Sequence, residues 1–165
     1  TLSKELERPP FETHGRFERA IRIADQHGLL SQQIEARYQR LWTAFYWFDD
    51  FDLLDREFDA FAELALGSPA ARHAERLANL LQCLITAVAQ GYRSAEQVRL
   101  LERRSALVAR LEFLAGQKDR PNNALEARTT SLMLEITSLA FDPTRRNLPL
   151  LAGSRSYPRS RVGAR

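Results

Sequence analysis

Asp49, Asp50, Asp52 and Asp55 crowd into the stretch WFDDFDLLD, and carboxylates at that density are the residue type that holds a hard cation. The stretch has neither the central glycine nor the distant bidentate glutamate of a calcium loop. Helix-start carboxylates, favoured by the positive end of the helix dipole, are therefore the expected reading. His14, His27 and His73 have no His or Cys three or four residues on, so none completes a metal-ligand pair, and surface positions are expected for all three. Cys83 lies inside the apolar run LLQCLITAV with no basic neighbour to lower its pKa, which predicts a small buried thiol rather than a nucleophile. The aromatics Trp42, Phe45, Tyr46, Trp47 and Phe48 have faces on which bases can stack. Their helical spacing and acidic neighbours instead predict core. The chain contains no GxxxxGK[ST] loop, HExxH, CxxC or GxSxG. No catalytic, cofactor-binding or metal-ligating residue is assigned, and a protein that is not an enzyme is expected.

The strongest charge feature lies at the C-terminal end. From Asp142 onward there are six arginines, Arg145, Arg146, Arg155, Arg159, Arg161 and Arg165, against one aspartate, a net of +5. The whole chain carries +3, which leaves the preceding body at −2. Arginine bridges carboxylates in bidentate fashion, so these six residues are the candidate partner-binding set, acting on an acidic protein surface. RNA phosphate and anionic lipid are the other anions such a tail suits.

At 165 residues the chain is long enough for one domain with its own core. A single cysteine excludes a disulfide framework and favours a reducing or organellar interior. No apolar run approaches the ~20 residues of a membrane span. The chain opens at Thr1 rather than Met, and a processed mature form or a trimmed chain is expected.

These residues need elements to position them, and the plainest are a helix pair over Ile34 to Leu66. Tyr38, Leu41, Trp42, Phe45 and Tyr46 recur at spacings of three and four, as do Phe51, Leu54, Phe58, Phe61 and Leu64. A tight turn at Phe48-Asp49-Asp50 joins the two. Pro9-Pro10 predicts an extended lead-in over residues 1–13. A first helix follows over Gly15 to His27, closed by Gly28 as a left-handed cap, with Ser31 capping the next. Ser68 and Pro69 are suited to start a helix over Ala70 to Gln90, and Ser94 with Gln97 forms a capping box for one ending at Gly116. A last helix over Ala124 to Ala140 is expected to close the stack through Leu125, Leu132, Ile136 and Leu139. The reading is all-α: about six main helices over residues 14–141 and an extended Arg-rich tail over 142–165, held by another subunit or by its own fold.

GRFERAIRIADQHGL and the Ile34 to Leu66 pair resemble tetratricopeptide and pentatricopeptide repeat units, with Phe17 and Phe51 lying 34 residues apart. That resemblance implies helical hairpins stacked as an α-solenoid. GRFERAIRIA followed by YQRLW, in a small basic chain, is also similar to the pentatricopeptide-like accessory subunits of the F1 head of euglenozoan mitochondrial ATP synthase. It implies a non-catalytic structural subunit on the matrix side that docks on F1 alpha and beta subunits and needs no cofactor. A cytoplasmic location, an organellar RNA-binding repeat protein and a sensor fragment of a bacterial signalling ATPase are the alternatives. The −2 body weighs against RNA.

Overall fold

The computed structural model describes residues 9–141, with side chains through residue 138. The tail arginines Arg145 to Arg165, residues 1–8 and the side chain of Leu139 lie outside the described residues. Within them the protein is all-helical, with no strand: α1 Pro10–His27, α2 Leu30–Phe48, α3 Phe51–Gly67, α4 Ala71–Ala89, α5 Leu100–Ala115 and α6 Pro121–Phe141.

Several boundaries differ from those the sequence predicts. Helix α1 begins at Pro10 rather than Gly15. Pro10 occupies the first helical position, where its missing N–H costs nothing, and it holds Pro9 extended at φ −54°, ψ 147°. Gly28 is not left-handed: it sits at φ −90°, ψ 159°, and a Cβ there would come within 2.6 Å of the Ala24 carbonyl oxygen. Glycine is required for close approach to the last turn of α1. Ser31 lies inside α2, and the start of that helix is held by Gln32, whose side-chain oxygen accepts from the Leu29 N–H at 2.8 Å.

The left-handed cap falls at Asp49 instead (φ 50°, ψ 29°), with the Asp50 N–H returning to the Ala44 carbonyl at 2.9 Å. Ser68 and Pro69 precede α4 by more than expected, since Ala70 is its N-cap. The α4 start is partly capped from far along the chain, because Asn123 Oδ1 accepts from the Ala71 N–H at 2.6 Å. Ser94 and Gln97 do form the reciprocal capping pair, at 3.2 and 2.8 Å. The turn they start is broken by Arg99 at φ 45°, and α5 begins only at Leu100.

Each helix packs on the next in the chain, and α2 and α6 both also touch α4. Helix α4 is thus the axis of the core. Its Leu77, Leu80, Leu81 and Leu84 are almost wholly buried beside Ile34, Leu41, Leu54, Phe58, Phe61, Leu107 and Leu111. Full burial of each such side chain is worth about 1.5–3 kcal/mol.

The buried positions recur in register. Thr13, Phe17 and Ala24 in α1 have the same spacing as Leu54, Phe58 and Ala65 in α3, and as Arg103, Leu107 and Leu114 in α5. Ile34, Tyr38, Leu41 and Ala44 in α2 are spaced as Leu77, Leu81, Leu84 and Ala87 in α4. The buried counterpart of Phe17 is therefore Phe58, 41 residues on. Phe51, the match at 34, begins α3 rather than lying in its middle.

Ion pairs tie both adjacent and alternate helices together. Arg40 of α2 reaches Glu18 of α1 at 3.5 Å and Glu57 of α3 at 3.1 Å. Arg103 of α5 is buried over the Phe58 ring, 4.6 Å from its centroid, and pairs with Asp55 and Asp59 of α3. The planar guanidinium satisfies two carboxylates while its face covers an aromatic, a combination lysine does not offer.

Candidate functional site

The aspartate cluster is divided among separate structural tasks. Asp50 is the N-cap of α3, its carboxylate accepting from the Leu53 N–H at 2.9 Å. Asp52 pairs with Arg93, and Asp55 with Arg103. Neither Asp49 nor Asp50 has a cation partner among the described residues, Asp50 being taken up by the Leu53 N–H, and no group of three His, Cys, Asp or Glu there is placed to hold a metal ion. Hydrogen bonds from Arg103 are the main cause holding the Asp59 carboxyl below its ordinary pKa.

The histidines divide differently from the surface expectation. His27 is exposed at the end of α1, while the half-buried His14 ring lies against Phe48 with centroids 5.3 Å apart. His73 is buried in the first turn of α4, its Nδ1 hydrogen-bonded to the Ser68 hydroxyl at 2.6 Å. Burial is the first cause lowering its pKa, and Arg72 and Arg76 add to it. Cys83 is buried as predicted, and loss of solvation pushes its thiol up to about 12, where it is chemically quiet.

The aromatic run only partly enters the core. Trp42 and Phe45 pack against it, whereas Tyr46 and Trp47 are about half exposed.

The surface that sequence reasoning missed is on α6. This helix was expected to seal the stack with Leu125, Leu132 and Ile136, yet they are 63%, 56% and 53% exposed, and Met133 is exposed with them. The face buried against α4 and α5 is built from Ala124, Ala127, Thr130 and Leu134. At about 100° of turn per residue the two sets lie on opposite sides of the helix. Small residues let α6 approach α4 closely, so the large side chains point outward. The signal was present: ALEARTTSLMLEITSL carries apolar residues around its whole circumference, and a helix of that kind is ordinarily covered on both sides.

Leu125 also lines a groove of ≈ 490 Å³ with Glu75, Asn122, Glu126, Thr129 and Thr130, between the starts of α4 and α6. No described helix is long and apolar enough to cross a membrane. No family model matches the chain, and no curated protein or solved structure matches it either.

Proposed function

We propose that the protein is a non-catalytic structural or accessory subunit, a stack of helical-hairpin repeats that docks on a larger protein assembly through the outer face of α6. The observation that carries this reading is Leu125, Leu132, Met133 and Ile136 exposed together on a helix already buried along its opposite side. Exposed apolar area concentrated on one element is what a protein interface covers. The repeat reading draws support from the recurring buried register of α1, α3 and α5.

The assembly we assign is the F1 part of mitochondrial ATP synthase, on the likeness of GRFERAIRIA and YQRLW to its accessory subunits. Matrix location follows from that assignment. In this reading the Arg-rich segment 142–165 adds an electrostatic clamp on an acidic surface.

Purified chain mixed with purified mitochondrial F1 should co-elute on size exclusion. Leu132→Asp combined with Ile136→Asp, both at exposed positions, should abolish co-elution while leaving the far-UV circular dichroism unchanged. Co-elution that survives the double substitution removes α6 from the interface. Failure of the unaltered chain to bind F1 removes that assembly.

A further inference from the structure

A second feature lies at the end of the molecule where α2 and α4 finish and α3 begins. Phe45, Tyr46 and Asp49 from α2 and its cap, Phe51 from α3, Thr86 and Gln90 from α4 and its cap, and Tyr92 from the following turn line a cleft of ≈ 280 Å³. The rings form a continuous chain. Trp42 and Tyr46 have centroids 4.4 Å apart, and Tyr46 meets Phe45 edge-on at 4.9 Å. Phe45 meets Phe51 edge-on at 5.5 Å, and Phe51 stacks on Tyr92 at 4.9 Å. Tyr46 and Tyr92 are each more than half exposed, so this is an open aromatic wall rather than core.

The electrostatics of the cleft favour one sign of charge. Aromatic faces are negative, and although Phe51 and Tyr92 cover one face of each other by stacking, Tyr46 and Tyr92 keep more than half of their surface open to a ligand. Asp49 adds a carboxylate with no cation partner among the described residues. Both α2 and α4 present their negative C-terminal ends here, and neither has a basic residue in its last turn. The opposing positive end of α3 already has its Asp50 cap and Asp52. Arg93, the neighbouring cation, is turned to Asp52 and to the Tyr92 carbonyl and does not line the cleft.

We propose that this cleft binds a methylated ammonium group, held against the rings of Tyr46 and Tyr92, with Phe45 and Phe51 behind them, and balanced by Asp49. A trimethylammonium head suits it for three reasons. It takes the cation–π attraction of several rings at once, it is weakly hydrated and so gives up little on entering, and it needs no hydrogen-bond acceptor. The cleft is at the small end of ligand sites, sized for a head group with its remainder in solvent. The head group arrives either on a free small molecule or on a trimethylated lysine side chain.

Calorimetric titration of the full chain with choline, and separately with Nε-trimethyllysine, tests the assignment. The neutral comparator is 3,3-dimethylbutanol, in which carbon replaces the choline nitrogen. Saturable binding of either cation, at least tenfold tighter than the neutral isostere, is the expected result. Trimethyllysine binding tighter than choline identifies a modified side chain as the source, and the reverse order a free amine. Asp49→Asn keeps a side chain that tolerates the left-handed turn, and Tyr92→Leu changes an exposed ring. Each should weaken cation binding about five- to tenfold without altering the circular dichroism. Equal affinity for the neutral isostere, or no saturable binding of either cation, overturns the proposal. So does cation binding unchanged in both variants.

Discussion

His73 shows how little a side chain's type says about its place. A histidine three residues from Arg76, on a helix with charged neighbours, suits a surface; here the Ser68 hydroxyl and the start of α4 enclose it. Ser68 also accepts from the Ala70 N–H at 3.2 Å, so one hydroxyl joins the helix start to the ring. Burial, then Arg72 and Arg76, holds the folded pKa below the ordinary 6.5, with Glu35 opposing. The unfolded chain consequently takes up a proton at a higher pH than the folded one. The stability contributed by neutral His73 is complete above about pH 6.5 and is lost as pH falls from there through the folded pKa. Urea unfolding at pH 7.5, 6.5 and 5.5 should show stability falling across that range, and His73→Gln should flatten the fall. An equal fall in the variant would assign the pH dependence to other groups. Cys83, buried with its thiol pushed up to about 12, contributes nothing across the same window.

At the scale of elements, the existence and order of all six helices could be read from apolar spacing alone. The turn at Asp49–Asp50 and the Ser94–Gln97 pair could be read from local turn chemistry. Some local features were misread, at Pro10, Gly28, Ser31 and Arg99, and what escaped the sequence altogether was each feature set by a partner distant in the chain. Asn123 caps α4 across 52 residues, Arg103 pairs with α3 carboxylates, and the small residues of α6 decide which of its two apolar faces turns inward. The exposed apolar face of α6 was therefore visible as composition but not as direction, and the ring-lined cleft appears only once α2, α3 and α4 converge.

Gly28 is the sharpest case, because the two explanations for it respond differently to substitution. A left-handed cap would accept asparagine at little cost. At φ −90° any Cβ instead meets the Ala24 oxygen at 2.6 Å. Gly28→Asn and Gly28→Ala should each destabilise by about 1–3 kcal/mol, the range for forced overpacking. Thermal unfolding decides between them: an asparagine variant as stable as the parent would restore the left-handed reading.

For the molecule as a whole, cohesion is uneven from helix to helix. Helix α4 touches α2, α3, α5 and α6, and its burial runs almost its full length. Helix α1 packs chiefly on α2 and buries only Thr13, Phe17 and Ala24. The salt bridges joining α1 to α2, Arg37 to Asp25 at 2.8 Å and Arg40 to Glu18, involve half-exposed carboxylates, a class worth only about 0–1 kcal/mol each. Where helices bury unequal apolar area, the free energy of local opening follows the area each element buries. Hydrogen exchange on the native protein should find the slowest amides in α4 and the facing turns of α3 and α5, and markedly faster exchange throughout α1. Helix α6 carries a separate expectation, since its inner face is bound to α4 and α5 while its outer face is uncovered. Its amides should exchange at an intermediate rate in the isolated chain and slow selectively when the docking partner is added. Protection of α1 equal to that of α4 would mean that the six helices unfold as one unit and that interface area does not grade their stability. Slowing confined to helices other than α6 would place the partner elsewhere on the molecule.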